Sequence, residues 1–168
     1  MKKLGIYLLF VTLCVVTTTA RAQWTDMEWE TYGLGFKAPS NFDLKQNDDK
    51  AFTAKGAIFT MSIKPWEDAT ITEPMKICRK ALNRTPGTDK TVIEEAEIED
   101  LHGFTGYEAY CTAVQNGKLV HVVVGGYLDP ESSVNFTVQL LFWDKTDAEN
   151  DRNYKAALYI LKSFHKLK

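Results

Sequence analysis

From residue 57 to residue 64 the chain alternates without a break, with Phe59, Met61 and Ile63 on one side and Thr60, Ser62 and Lys64 on the other. A period of two marks a half-buried strand, and Pro65 predicts where it stops. Upstream, Leu34 and Phe36 share one side of an extended segment closed by Pro39, Ser40 and Asn41, and residues 42–46 and 50–55 flank a hairpin tip at Asn47, Asp48 and Asp49. The period then changes. Met75, Cys78, Ala81 and Leu82 recur at helical spacing, with Lys76, Arg79 and Lys80 opposite. Thr70 or Thr72 is placed to cap this helix, Pro74 suits its first turn, and Pro86 and Gly87 end it. Strands come next over 91–101, 104–115, 118–128 and 135–143. A second helix starts near Asp147, with Tyr154, Ala157, Leu158, Leu161 and Phe164 as its apolar stripe.

Strands, a helix, antiparallel strands and a helix, with no repeat or linker between them, predict a single α+β domain over residues 23–168. Asn116-Gly117 between two alternating segments predicts a type I′ hairpin in which Gln115 faces Lys118. Counting outward, Thr112 faces His121 and Cys111 faces Val122, so Cys111 and His121 point to opposite sides of the sheet unless a bulge intervenes. The Cys111 side carries Ala109, Ala113, Val120, Val122 and Val124, which the first helix can cover. The other side carries Leu119, His121 and Val123; Leu141 and Trp143, with Thr137 and Gln139, are assigned to it too, under the terminal helix. An antiparallel sheet flanked by helices, an α/β/α sandwich, is the expected architecture.

The first residues change the picture. Lys2 and Lys3, an apolar run from Leu4 to Val16, and Ala20-Arg21-Ala22 describe a secretory leader cut after Ala22. The apolar run is too short to span a bilayer. The compact start is of bacterial type, so a periplasmic or secreted protein is expected, without a transmembrane segment in the mature chain. Cleavage leaves 17 basic and 22 acidic residues on 146 positions, a net charge of −5. A mildly acidic chain without a run of basic residues is a poor partner for nucleic acid. Cleavage also removes Cys14, leaving Cys78 and Cys111. In an oxidising compartment these two, one on the helix stripe and one on the face beneath it, are expected to form a disulfide; the alternative is a pair of inert buried thiols.

Two further stretches carry a resemblance. The run from Tyr32 to Phe42, an aromatic-led strand ending in proline, and the closing Ile160-Leu161-Lys162-Ser163-Phe164 resemble the PsbP/Mog1-like group. That resemblance implies an α/β/α sandwich acting in binding, assembly or accessory roles, and it transfers no functional residue.

Candidate chemistry is sparse. His102, His121 and His165 lack partners at metal-ligand spacing, and no nucleophile elbow, phosphate loop or zinc motif occurs. Glu95, Glu97 and Glu99 alternate along one strand with Glu108 on the next; such a face can attract a cation or a basic partner, but a solvated edge is the commoner cause, and no metal is expected. Trp66 and Trp143, at strand ends, are the candidate contact aromatics, and Trp24 and Trp29 either fold back over the sheet or form a docking arm. The expected function is that of an exported envelope protein that binds a protein or small ligand, needs no cofactor and catalyses nothing. The alternatives are a small periplasmic hydrolase, which a histidine beside a carboxylate and a hydroxyl in a pocket would mark, and an immunity-type inhibitor of a secreted toxin.

Overall fold

The computed structural model describes residues 23–68, 70–132 and 134–167; the expected leader lies outside them. The chain runs β1 (Trp24–Trp29), a 3-10 turn (Glu30–Tyr32), β2 (Leu34–Pro39), β3 (Asp43–Asn47), β4 (Phe52–Lys55), β5 (Thr60–Trp66), α1 (Pro74–Arg84), β6 (Thr88–Ile98), β7 (Thr105–Gln115), β8 (Lys118–Leu128), β9 (Asn135–Trp143), α2 (Asp147–Lys162) and β10 (His165–Lys166). Two sheets form, a seven-stranded one ordered β3-β4-β5-β9-β8-β7-β6 and a three-stranded one ordered β1-β2-β10, with every pairing between these strands antiparallel.

The β7–β8 hairpin has the register that Asn116-Gly117 dictates. Gln115 faces Lys118, Thr112 faces His121 and Cys111 faces Val122, and Asn116 and Gly117 both take positive φ, as a type I′ turn requires. Pro65 does not stop β5, which continues to Trp66; beyond Ile63 it pairs with β9 alone, so a missing N–H is tolerated there. Neither Thr70 nor Thr72 caps α1; Glu73 holds the cap position and Pro74 begins the helix.

The layering corrects the expected α+β, α/β/α sandwich. Strand makes up 51% of the described residues and helix 21%, and the fold is β-rich. The physical reason is one of width. A helix is about 10–12 Å across and strands lie about 4.8 Å apart, so one helix roofs about two strands. Cys78 and Leu82 of α1 pack with Ala109, Cys111 and Ala113 of β7 and Val120, Val122 and Val124 of β8. The same face of β5 and β9 is left open. Beneath the other face lies no simple helix layer: β2 and α2 share it, with Phe36 stacked on Phe164 at 4.8 Å and set edge-on to Phe52 at 5.1 Å. The segment around Trp24 and Trp29 folds back as β1, pairing along β2 with Trp29 fully buried.

A second correction concerns β9. Leu141 pairs with Val122 and Trp143 with Val120, so both lie on the Cys111 face and not beside His121. The residue that stacks on His121 is Phe142, at 4.9 Å between ring centres. The β7–β8 turn fixes its own register, whereas the longer 129–134 connection fixes none, and a slip of one residue exchanges the faces.

Candidate functional site

The open half of the α1 face is built from alternation. On β5, Thr60, Ser62 and Lys64 point out of the core; on β9 their cross-strand partners are Leu141, Gln139 and Thr137. The last turn of α1 rises beside this floor with Ala81, Arg84 and Thr85, and Pro86 comes after it. Wall and floor enclose a cleft of about 330 Å³, within the size range of small-molecule sites.

Trp66 closes one end of the cleft. It is 6% exposed and packs with Ile71 and Ile77, and the Arg84 guanidinium lies 4.6 Å from its ring centre. That is a cation–π contact on a largely desolvated ring. Gln139 Nε2 donates to Thr85 Oγ1, which donates in turn to the Ala81 carbonyl at 3.2 Å, tying floor to wall. Two lining groups are not satisfied this way. Ser62 Oγ and Trp66 Nε1 are buried without a hydrogen-bond partner among the described residues. Leaving a buried donor unpaired costs about 1–3 kcal/mol, so two in one cleft is an unusual concentration. The lining includes Lys64 and Arg84 and no carboxylate.

At the far end of the same face, Trp143 is 51% exposed beside Leu141 and lines a smaller hollow of about 240 Å³ with Ile58 and Thr60. The structure thus brings the two candidate aromatics to opposite ends of one surface. Trp66 is an anchored wall; Trp143 is the free one.

The other candidates scatter. Glu95 accepts a forked pair of hydrogen bonds from Arg79 of α1, at 3.0 and 2.8 Å, which holds its carboxyl below the usual range. Glu97 is exposed on the same face, and Glu99 lies beyond the end of β6. Glu108 is on the opposite face, opposite Ala96 and close enough to Glu94 to feel its charge. No group of three or more metal-ligating side chains occurs among the described residues.

Cys78 and Cys111 do meet in one cluster, both fully buried, but they are free thiols and the expected staple is not formed. Cys78 Sγ donates instead to the Val124 carbonyl at 3.3 Å. Burial pushes the Cys78 thiol up to about 12 and the Cys111 thiol up to about 11. Disulfide exchange needs the thiolate, and both sites suppress it.

Two arrangements were not foreseen. Tyr110, His121 and Asp144 form a hydrogen-bonded row, with the Tyr110 hydroxyl 2.6 Å from His121 Nδ1 and His121 Nε2 2.9 Å from Asp144 Oδ1. Hydrogen bonds from His121 and from Asn150, at 2.8 Å, hold the Asp144 carboxyl below its usual range. His121 is 6% exposed and packed against Phe142 and Tyr110, and none of the trio lines the Trp66 cleft or the hollow beside Trp143. On the far side, Lys37, His102, Lys162, His165 and Lys166 surround an open basic hollow of about 530 Å³. It draws on separate segments, so no basic run announces it. Two of its cations are already paired, Lys37 with Asp26 at 2.7 Å and Lys166 with Asp129 at 2.7 Å.

Neither a known protein-family pattern nor any curated protein sequence matches the chain. Solved structures do. The Saccharomyces cerevisiae Ran-binding protein Mog1p overlays with a TM-score of 0.63 at 11% identity, over 88% of this chain and 97% of that one. A Mog1 point mutant gives 0.61 at 10% identity, over 87% and 97%. LpqN, involved in cell envelope biogenesis of Mycobacterium tuberculosis, gives 0.49 at 18% identity, over 87% and 91%. The chain has a Mog1/PsbP-like fold, as the Tyr32–Phe42 and Ile160–Phe164 stretches implied.

Proposed function

We propose that this chain is an exported, non-catalytic binding protein of the bacterial envelope, which engages its ligand on the open half of the seven-stranded sheet between Trp66 and Trp143. The observation that carries the reading is the unroofed face itself: an aromatic at each end, a cleft of about 330 Å³ beside α1, and buried donors there without partners. The leader pattern of residues 1–22 supports export. Mog1p, a Ran-binding protein of the same fold, supports a binding role. No helix among the described residues is long and apolar enough to cross a membrane.

The hydrolase alternative has one observation in its favour, the Tyr110–His121–Asp144 row. A general base must reach a substrate, however, and this imidazole is 6% exposed, packed against the Phe142 and Tyr110 rings, with both nitrogens engaged. A photoreactive residue in place of Trp143, in the full chain expressed with its leader, tests the reading. Adducts read by mass after irradiation in cells should form from position 143 and not from Tyr159, which is 44% exposed on α2 and tilted against the Trp24 ring. Adducts from position 159 alone would overturn it.

A further inference from the structure

We infer that the Trp66 cleft is a binding site for a small organic carboxylate. The inference rests on the open-face reading and assigns it a ligand class. Charge comes first. The chain is acidic as a whole, yet the cleft has Lys64 and Arg84 in its lining and no carboxylate. An anion there meets attraction from both cations and repulsion from no lining side chain. Hydrogen-bond supply comes next. Trp66 Nε1 can only donate and Ser62 Oγ can donate, and both lack partners among the described residues. A ligand rich in acceptors satisfies both, while a cationic ligand offering only donors leaves the indole N–H orphaned.

Shape and polarity separate an organic carboxylate from a bare inorganic anion. Pro65, Ala81, Pro86 and Val124 line the cleft along with the Trp66 ring, so about half of the wall offers nothing to a phosphate but suits a short hydrocarbon body. Arg84 is the adaptable member. It is exposed at the last turn of α1, held over the Trp66 ring and not in an ion pair with any described carboxylate. Its planar fork matches a carboxylate through two parallel bonds. Neither orphan donor is open to solvent as the cleft stands, so the exposed Arg84 side chain has to move as it takes the carboxylate, opening the cleft toward the indole N–H and the Ser62 hydroxyl.

Proton–nitrogen correlation spectra of the full mature chain provide the test, with the Trp66 indole resonance assigned by its loss in Trp66→Phe. Hexanoate and benzoate are the probes, hexanol and benzyl alcohol their neutral counterparts, and inorganic phosphate the bare anion. The Trp66 indole peak should shift saturably with the carboxylates, and each alcohol should bind at least about tenfold more weakly. Arg84→Gln, at an exposed position, should weaken the carboxylates about tenfold. Lys162→Gln, in the basic hollow, should leave them unchanged. Alcohols as tight as the acids, phosphate tighter than either acid, an unaffected Arg84→Gln, shifts centred on Lys162 and His165, or no saturable shift with either acid would each overturn the inference. Failure of these titrations with successful crosslinking from position 143 removes the carboxylate and leaves the open-face reading in place; failure of the crosslink alone removes that reading.

Discussion

Glu108 is 6% exposed, its Oε1 makes a long 3.5 Å contact with the Tyr154 hydroxyl, and its Oε2 has no partner among the described residues. Burial, reinforced by Glu94, pushes its carboxyl from 4.5 up to about 7. The folded protein therefore keeps a proton on Glu108 that the unfolded chain releases near 4.5. Stability falls as pH rises between those two values, and the full penalty, on the order of 3 kcal/mol at most, is present above 7. Glu108→Gln should raise the urea midpoint at pH 8 and leave it nearly unchanged at pH 4; an equal gain at both would show that the charge is not the cause. Cys78 and Cys111 give a second expectation at this scale. Iodoacetamide should add to neither in the native protein and to both after denaturation without reductant. An intact mass two hydrogens lower, with no alkylation, would instead restore the staple.

Elements differ in how much of their placement the sequence declares. The α1 stripe led by Cys78 is legible because a period of 3.6 is local, and the β7–β8 register is legible because Asn116-Gly117 fixes it over two residues. Strand β1 is not, since Trp24, Met27 and Trp29 obey no single period and pairing with Leu34–Pro39 decides their conformation. Nor is the site: Ser62, Gln139 and Arg84 converge only because α1 is too narrow to cover β5 and β9, and helix width against strand count leaves no trace in a local pattern. One close approach fixes where α1 lies. A Cβ at Gly126 would sit 2.5 Å from Cys78 N and 2.6 Å from the Pro74 carbonyl oxygen, both backbone atoms of the helix. Gly126→Ala should therefore lift α1 from β8, at a cost of about 3 kcal/mol read from the urea midpoint. A shift below about 0.5 kcal/mol would mean the helix slides freely.

For the whole molecule, the proposed leader predicts that protein recovered from a periplasmic fraction would begin at Gln23, which N-terminal sequencing or intact mass reads directly. Retention of residues 1–22 on a membrane-bound product would contradict it. The small sheet bears on folding along the proposed export route. Strand β2 has β1 on one side and β10 on the other, with Gly35 facing both Glu28 and His165, and Leu167 N bonded to the Gly33 carbonyl at 2.8 Å. Its neighbours come from opposite ends of the described chain. Contacts so distant in sequence form late, because the intervening loop must close first. A chain threaded through a narrow channel from its N-terminus cannot complete this sheet until residue 165 has emerged. On the proposed export route, the latch on β2 would work as a timer, leaving the last step of assembly to the far side of the membrane.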